Sequence, residues 1–121
     1  MPELKGSGRG NSVNGAAGED GIVRAGRLEI RPLEHTVLLN GVPLVLTVRE
    51  LALLSELATH PDRVLTRAEL YEAVWGGTLR SSDRSVDVYV SRLRAKLSGV
   101  IPETRFIHTH FGIGYRFSAG T

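Results

Sequence analysis

The chain contains no cysteine, which excludes both a disulfide framework and a zinc site built on thiolates. It also has no apolar run near the roughly 20 residues that a membrane-spanning helix requires. The N-terminal sequence MPELKGSGRG lacks the apolar stretch of a secretory signal. We therefore expect a soluble, cytoplasmic protein that has no membrane partner.

Signs of catalysis are equally sparse. Gly112 and Gly114 lie close together, but no strand-to-helix turn with a Lys-Ser/Thr pair accompanies them, so a phosphate-binding loop is excluded. The serines within 81–91 have no neighbouring His-carboxylate pair in the local sequence. His108 and His110 form an H-x-H pair of the kind that can bind metal, but no third ligand is evident. We predict no enzymatic activity, no cofactor and no metal site.

The chain does contain enough apolar residues for a core, since 41% of its 121 residues are hydrophobic. Its net charge is only +2. The positive charge is nevertheless concentrated: residues 80–96 carry five basic and two acidic residues, a net of +3. Such a distribution indicates one basic surface suited to an anionic partner such as nucleic acid.

The segment 1–21 holds six glycines and only scattered apolar residues. Such a composition cannot bury enough surface to offset its backbone entropy, so we predict a flexible linker or tail here. The folded domain is expected over 22–118.

The first part of that domain reads as an antiparallel sheet. Apolar and polar residues alternate at 28–30, and β-prone runs flank the dipeptide Asn40-Gly41, the strongest two-residue hairpin signal. Pro43 has no N–H to donate, so it should lie at a strand start or a sheet edge.

Three helices are predicted next. Thr47 with Glu50, and Thr66 with Glu69, match the capping box in which a threonine N-cap precedes a glutamate by three residues. The first helix should run to about Thr59 and the second to about Trp75, with Trp75 in the core, and a third should span 83–98. The segment 106–117 is β-prone around glycines and predicts a hairpin, which gives an α+β fold.

The third helix has distinct faces when its residues are spaced at about 100°. Its core face holds Val86, Val90, Leu93 and Leu97. Its outward face holds Arg84, Val88, Ser91, Arg92 and Ala95. Arginine can bond to guanine and valine can contact a thymine methyl, so this face suits a DNA groove. The same pattern is also consistent with a solvated cationic face whose charges stabilise the helix. Tyr89, Arg94 and Lys96 lie on the flanks, from which they would reach phosphates. Asp87 is expected either to bridge to Arg84 or Arg94 or to act as a favourable charge near the helix N-terminus.

Four segments resemble the DNA-binding domain of the OmpR/PhoB family of response regulators: 46–51, 65–75, 83–97 and 112–117. The resemblance covers roughly residues 22–118. It implies a winged helix-turn-helix with a four-stranded N-terminal sheet, three helices and a C-terminal hairpin wing. It also implies transcription regulation, either as the effector half of a two-component response regulator or as a stand-alone regulator.

The resemblance implies roles for particular residues. Helix 83–98 would enter the major groove of double-stranded promoter DNA, with wing 106–117 near the minor groove and two copies on direct repeats. Val88 and Arg92 match base-reading positions, and Arg84, Tyr89 and Arg94 match positions that contact phosphates or, in some members, bases. The loop after the second helix would contact RNA polymerase through Gly77, Thr78, Leu79 and Arg80.

The wing differs from the family pattern. Phe111 stands where relatives often carry arginine, so it either packs on sugars or extends the core. His110 replaces a small β-branched residue, and Tyr115 completes the expected wing residues. A different interpretation also stays open, in which the scaffold is a protein-interaction module that does not bind DNA.

Overall fold

A computed structural model describes residues 14–18 and 20–119. The chain forms an N-terminal sheet, three helices and a C-terminal sheet. The strands are β1 (Asn14–Ala17), β2 (Val23–Ala25), β3 (Leu28–Arg31), β4 (Thr36–Leu39), β5 (Val42–Leu44), β6 (Val64–Thr66), β7 (Ile107–His110) and β8 (Gly114–Phe117). The helices are α1 (Val48–Ala58), α2 (Arg67–Val74) and α3 (Ser85–Ser98), and a 3₁₀ turn spans Pro32–Glu34. This order confirms the predicted α+β winged-helix fold.

The N-terminal sheet is antiparallel with strand order β1-β2-β3-β4-β5. Asn40 and Gly41 connect β4 to β5 with φ values of 55° and 80°, so both adopt the left-handed conformation that a type I′ hairpin requires. Pro43 lies on β5, at the edge of the sheet, as predicted.

Strand β1 corrects two expectations. The N-terminal sheet has five strands instead of four, and regular structure is present before Ile22. Strand β1 pairs with β2, with Asn14 opposite Ala25 and Ala17 opposite Val23. Residues 14–17 fall within the segment predicted as a linker or tail, and their backbone pairs with β2; the division into a linker and a domain stays a prediction. Residues 1–13 lie outside the described residues, and for them the prediction is untested.

Both predicted capping boxes are present. The Thr47 and Thr66 side chains accept hydrogen bonds from the amides of Glu50 and Glu69, and each glutamate accepts one from the threonine amide in return. The helices α1 and α2 begin at these threonines because four N-terminal amides of any helix lack intrahelical partners. Helix α3 starts differently, since its N-cap Arg84 provides no side-chain bond.

The C-terminal sheet has three strands in the order β6-β8-β7, one more than the predicted hairpin. The added strand β6 pairs with β8 in a register that places Thr66 opposite Gly114. A Cβ on Gly114 would lie 1.9 Å from the Leu65 carbonyl oxygen, so this close approach requires glycine. The sheet thus joins the start of α2 to the wing.

A single core lies between the two sheets and the helices. It includes the inward residues of β2, β3 and β4, the apolar stripe of α1, Leu70 of α2, and the core face predicted for α3. The buried residues of α1 lie at helical spacing along one stripe: Leu51, Leu53, Leu54, Leu57 and Ala58. Across the part of the chain that the structure describes, no helix is long and apolar enough to cross a membrane.

Candidate nucleic-acid interface

Helix α3 presents the two faces that its sequence predicted. Val86, Val90, Leu93 and Leu97 are each at most 3% exposed, so they anchor the helix in the core. The opposite face is open to solvent and comprises Arg84, Val88, Ser91, Arg92 and Ala95. None of these five residues is acidic. The face is therefore a continuous surface of cationic, small and apolar side chains.

Arg92 lies on this face with a defined neighbour. Its guanidinium carbon is 4.9 Å from the centroid of the Tyr89 ring, a cation–π distance. Tyr89 meets Trp75 edge to face at 5.2 Å, and Trp75 stacks on Tyr71 at 5.4 Å. Trp75 packs against the core, as predicted, but it is only partly buried. The aromatic cluster supports one side of the Arg92 side chain.

Arg84 lies at the start of α3 with its side chain 80% exposed. Its guanidinium is 3.7 Å from the Asp87 carboxylate, so one of the two bridges predicted for Asp87 is present. A contact of this length at such exposure is weak, and it leaves the guanidinium free to bind an anion.

Lys96 bonds to α1 and to the segment that precedes α1. Its Nζ donates to Glu50 Oε1 at 2.6 Å and to the Val45 carbonyl at 3.0 Å. Glu50 is 2% exposed, and it is the one charged residue among the buried residues that the structure describes. Burial alone would raise the pKa of Glu50, but hydrogen bonds from Lys96 and from the Thr47 amide outweigh it and lower that pKa. This arrangement does not direct Lys96 toward a phosphate.

Arg94 is also occupied. Its guanidinium donates to the Ile107 carbonyl and to Thr109 Oγ1, with distances of 2.9 and 2.6 Å from one terminal nitrogen. The same group lies 5.5 Å from the centre of the Tyr115 ring. Arg94 therefore fastens α3 to β7. Its guanidinium is less available than that of Arg84 for the predicted phosphate contact.

A second connection between α3 and the wing runs through Asp87. Its carboxylate accepts hydrogen bonds from the Tyr115 hydroxyl and, at 2.7 Å, from Arg67 Nε. Desolvation would raise the pKa of Asp87, but the bonds from Tyr115 and Arg67 lower it overall. Tyr115, predicted as a wing residue, is only 5% exposed, so it is a buried residue that connects β8 to α3.

The turn of the wing consists of Phe111, Gly112 and Ile113. Phe111 is 90% exposed, which excludes the core packing that was one of its two predicted alternatives. Gly112 has φ of 78°, a left-handed conformation that favours glycine. His110 accepts a hydrogen bond from Arg116 Nε at 3.1 Å. This contact lies within the wing and gives His110 a local structural partner.

The two wing histidines have no third metal ligand in the described part of the chain, where no group of three His, Cys, Asp or Glu side chains is placed to hold an ion. Burial, together with the nearby positive charges of Arg116 and Arg105, lowers the pKa of His108. His108 therefore takes up a proton only at a pH below the range in which an ordinary histidine does so. It adds little positive charge to the wing near neutral pH.

The loop between α2 and α3 is largely exposed at Gly77, Thr78 and Arg80, while Leu79 is half-buried. Gly76 and Gly77 adopt φ values of 78° and 85°. The loop continues into a groove, and residues lining that groove include Arg67, Arg80, Arg84 and Gly112. The loop, the start of α3 and the wing turn are therefore neighbours.

Sequence reasoning missed Arg67 and Glu50 as organisers of this surface. Glu50 is the glutamate of the first capping box, and Arg67 directly follows the threonine of the second, so the local pattern explained both without a tertiary role. Their partners, Asp87 and Lys96, lie 20 and 46 residues further along the chain. The opposite charges in the sequence were the only available signal, and they matched many possible pairs.

Comparisons with known proteins place this geometry in context. The model of the family described as "Transcriptional regulatory protein, C terminal" matches residues 41–117. The chain is 34% identical over 108 residues to the sensory transduction protein RegX3 of Mycolicibacterium smegmatis, covering 89% of this chain and 47% of that protein. It is 36% identical to the phosphate regulon transcriptional regulatory protein PhoB of Pseudomonas aeruginosa, covering 86% of this chain and 44% of the relative.

Solved structures agree with the sequence relatives. The DNA-binding domain of RstA from Klebsiella pneumoniae, crystallised in complex with the RstA box, superposes with a TM-score of 0.74 at 37% identity, covering 81% of this chain and 97% of that one. The DNA-binding domain of CpxR from E. coli gives a TM-score of 0.73 at 31% identity, with the same coverage of 81% and 97%. The chain thus spans a complete domain of these structures but about half the length of the curated relatives it matches.

Proposed function

Because the chain belongs to the family of transcriptional regulatory protein C-terminal domains, of the OmpR/PhoB type, we propose that it binds double-stranded promoter DNA sequence-specifically and so regulates transcription. The observation that carries this proposal is the outward face of α3, which is exposed, cationic and free of carboxylates. An α-helix of ordinary width fits the major groove, where each base pair presents a distinct pattern of donors, acceptors and methyl groups.

Val88 and Arg92 are the proposed base readers. Val88 is 43% exposed on the outward face of α3, where its methyl groups are accessible to the methyl group of a thymine. Arg92 is exposed and braced by Tyr89, so part of its side-chain entropy is lost before binding. Its guanidinium retains the paired N–H donors that recognise guanine O6 and N7.

Arg84 and Tyr89 are proposed to set the register on the sugar–phosphate backbone. Arg84 is far more exposed than Arg94, and its contact with Asp87 is weak enough to exchange for a phosphate. The internal bonds of Arg94 and Lys96 favour structural roles for these two residues instead. We therefore propose that Arg94 and Lys96 hold α3 in position and do not contact DNA.

The wider assembly is also a proposal. Loop residues 77–80 are exposed for the most part beside the start of α3, which suits a contact with RNA polymerase, and two copies would bind direct repeats. We extend the proposal to a cytoplasmic location and a response-regulator context, which the similarity to regulatory relatives supports. A family of transcription regulators gives no support to an enzymatic role.

Salt titration of DNA binding tests the central proposal. The chain is titrated against a duplex selected by it from a random library and against an unselected duplex, at several salt concentrations. DNA binding predicts a steep loss of affinity as salt rises, because condensed counterions are released from the phosphates. A protein-interaction module without DNA binding predicts no measurable affinity or a flat salt response, and either result would overturn the proposal.

Two arginine variants separate base reading from phosphate contact. Arg92→Ala should weaken binding to the selected duplex by roughly 1–3 kcal/mol while changing binding to the unselected duplex much less. Arg84→Ala should weaken both alike and reduce the salt slope by about one ion. Arg27→Ala is the matched control, because Arg27 is an exposed arginine between β2 and β3 that pairs with Glu103. Equal loss on both duplexes with Arg92→Ala would show that Arg92 contacts phosphate rather than bases.

A further inference from the structure

Arg49 is an exposed cation outside the basic segment 80–96. It is the second residue of α1. Across the part of the chain that the structure describes, no carboxylate lies within ion-pair distance of its guanidinium, which instead lies over the Trp75 ring, 5.3 Å from the centroid. A positive charge in the first turn of a helix is unfavourable, because the N-terminal end of the helix dipole is itself positive. The charge of Arg49 therefore does not stabilise α1.

The start of α1 is fixed beside α3. Glu50, the residue after Arg49, accepts a hydrogen bond from Lys96 of α3 at 2.6 Å. Lys96 also donates to the Val45 carbonyl, in the segment that precedes α1. The position of Arg49 relative to α3 is thus set by the ion pair next to it as well as by its contact with Trp75.

The aromatic cluster of Tyr71, Trp75 and Tyr89 connects Arg49 to the outward face of α3. Trp75 meets Tyr89 edge to face at 5.2 Å, and the Tyr89 ring centroid lies 4.9 Å from the guanidinium carbon of Arg92. One cluster therefore contacts an arginine from α1 and an arginine from α3. Arg49 extends the cationic outward face of α3 onto the neighbouring helix.

This extension lies on the flank of α3 that faces away from the wing. Arg94 bonds to β7 from one flank, whereas Lys96 bonds to α1 from the other. The major groove is about 12 Å wide and a helix with its side chains is about 10–12 Å across, so both flanks of a helix in the groove come close to a sugar–phosphate backbone. Arg49 would then face the backbone on the side opposite the wing.

The chemistry of the Arg49 side chain suits a phosphate. A guanidinium that lies over a ring can keep the N–H groups in its own plane free to donate. Two such donors match two oxygens of one phosphate. The contact with Trp75 also restricts the side chain before binding, which reduces the entropy lost when a phosphate is held.

We propose that Arg49 binds a phosphate of the backbone that bounds the major groove on the α1 side of α3, opposite the wing. This inference rests on the proposed DNA-binding function. The continuity of the cationic surface from Arg92 to Arg49 favours DNA over an acidic protein segment, because one rigid anionic partner then contacts both helices. A phosphate contact carries no base information, so Arg49 adds affinity and fixes the register without changing which bases are read.

Two variants of Arg49 test the proposal through affinity and salt slope together. Arg49→Gln removes the charge and should lower affinity for the selected and unselected duplexes alike, by about fivefold, the net worth of one ordinary hydrogen bond. The slope of log affinity against log salt should become shallower by about 0.9, the increment for one phosphate. Arg49→Lys keeps the charge, so it should restore the slope and most of the affinity.

Uncharged methylphosphonates locate the contact when they replace single phosphates of the selected duplex, one position at a time. The wild-type chain should lose affinity at a position on the α1 side of the groove. Arg49→Gln should lose none at that position, because its contact is already absent, and should match the wild type at all others. Arg27→Gln is the matched control, since Arg27 is an exposed arginine in the turn between β2 and β3 that pairs with Glu103. It should leave affinity, slope and scan unchanged.

Three results would overturn the inference while the proposed function stands. Unchanged affinity and slope with Arg49→Gln would show that Arg49 does not contact DNA. A loss confined to the selected duplex would show that Arg49 acts on base reading through the aromatic cluster. An equal loss on both duplexes that no methylphosphonate position reproduces would give Arg49 a purely structural role.

Absence of wild-type binding to either duplex would instead overturn the proposed function itself. Circular dichroism should show both Arg49 variants folded like the wild type, since Arg49 is outside the core.

Discussion

Replacing Lys96 with methionine should destabilise the fold and leave the salt dependence of DNA binding unchanged. Methionine keeps the length and apolar stem of lysine but removes the ammonium. The Glu50 carboxylate would lose a hydrogen bond of 2.6 Å and the Val45 carbonyl one of 3.0 Å. Glu50 would keep its bond from the Thr47 amide at 2.8 Å.

The expected loss is about 2–4 kcal/mol in the free energy of unfolding at pH 7. Removing one partner of a buried ion pair costs about 3–5 kcal/mol, because the remaining charge stays desolvated. Glu50 is 2% exposed, but the Lys96 side chain is 37% exposed, so water partly screens the pair and lowers the figure. The surviving Thr47 bond lowers it further.

The pH dependence should change in a defined way. In the wild type the pKa of Glu50 is lowered, so the pair stabilises the fold above the ordinary range for glutamate and this contribution is lost as the pH falls through the folded-state value. Without Lys96, the pKa of Glu50 loses two of the causes that lower it, so Glu50 takes up a proton at a higher pH than in the wild type. The stability deficit of the variant relative to the wild type therefore narrows between pH 7 and pH 4.

Urea unfolding followed by circular dichroism at several pH values measures this deficit. Glu50→Gln is the matched control because its amide oxygen can still accept from Thr47 and Lys96. A double-mutant cycle with both changes gives the coupling energy of the pair. A cost below about 0.5 kcal/mol at pH 7 would place Lys96 among ordinary surface ion pairs. Such a result, joined to a salt slope reduced by about one ion, would refute the structural role and restore the phosphate contact.

Two further substitutions probe how the wing is built. Gly114→Ala should destabilise the fold by more than about 2 kcal/mol in urea unfolding, because the new Cβ would lie 1.9 Å from the Leu65 carbonyl oxygen and force β6 and β8 apart. Gly112→Ala should cost only about 1 kcal/mol, since its Cβ would meet no atom within 4 Å and only the φ of 78° is unfavourable; equal costs would contradict the assigned close approach. Asp87→Asn should cost about 1–3 kcal/mol at pH 7 through weaker bonds to Arg67 and Tyr115. Because the pKa of Asp87 is lowered, its carboxylate stabilises the fold above the ordinary aspartate range, and this contribution is lost in acid. Asp87→Asn should therefore lose less stability than the wild type as the pH falls. Parallel curves of unfolding free energy against pH for the two proteins would contradict this prediction.

Local signals predicted the parts of the fold that depend on neighbours in sequence. The two capping boxes, the Asn40-Gly41 turn and the buried stripe of α3 are each set by residues within a few positions of one another. Their physical causes are unsatisfied helix amides, positive φ and helical period. These causes act whatever the remainder of the chain does, which is why the sequence alone was sufficient.

The strands β1 and β6 could not be predicted in the same way. The sequence of β1, Asn-Gly-Ala-Ala, has little strand propensity, and β6 is three residues long. Each is a strand because a partner offers its backbone edge, and the partner of β6 lies about 50 residues away. Backbone pairing at such distances leaves no local pattern in the sequence.

The same distinction decides which cations of α3 are available to DNA. A helical wheel separates inward from outward residues, but it cannot show what lies beside a flank. One flank of α3 faces the wing, where carbonyl and hydroxyl groups of β7 bind Arg94, and the other faces α1, where Glu50 binds Lys96. The basic segment 80–96 therefore offers DNA three exposed arginines, Arg80, Arg84 and Arg92, rather than five cations. Arg94 and Lys96 bond instead to the wing and to α1. Under the proposed function, the positive charge of the segment is therefore divided between cations that contact DNA and cations that hold α3 in position.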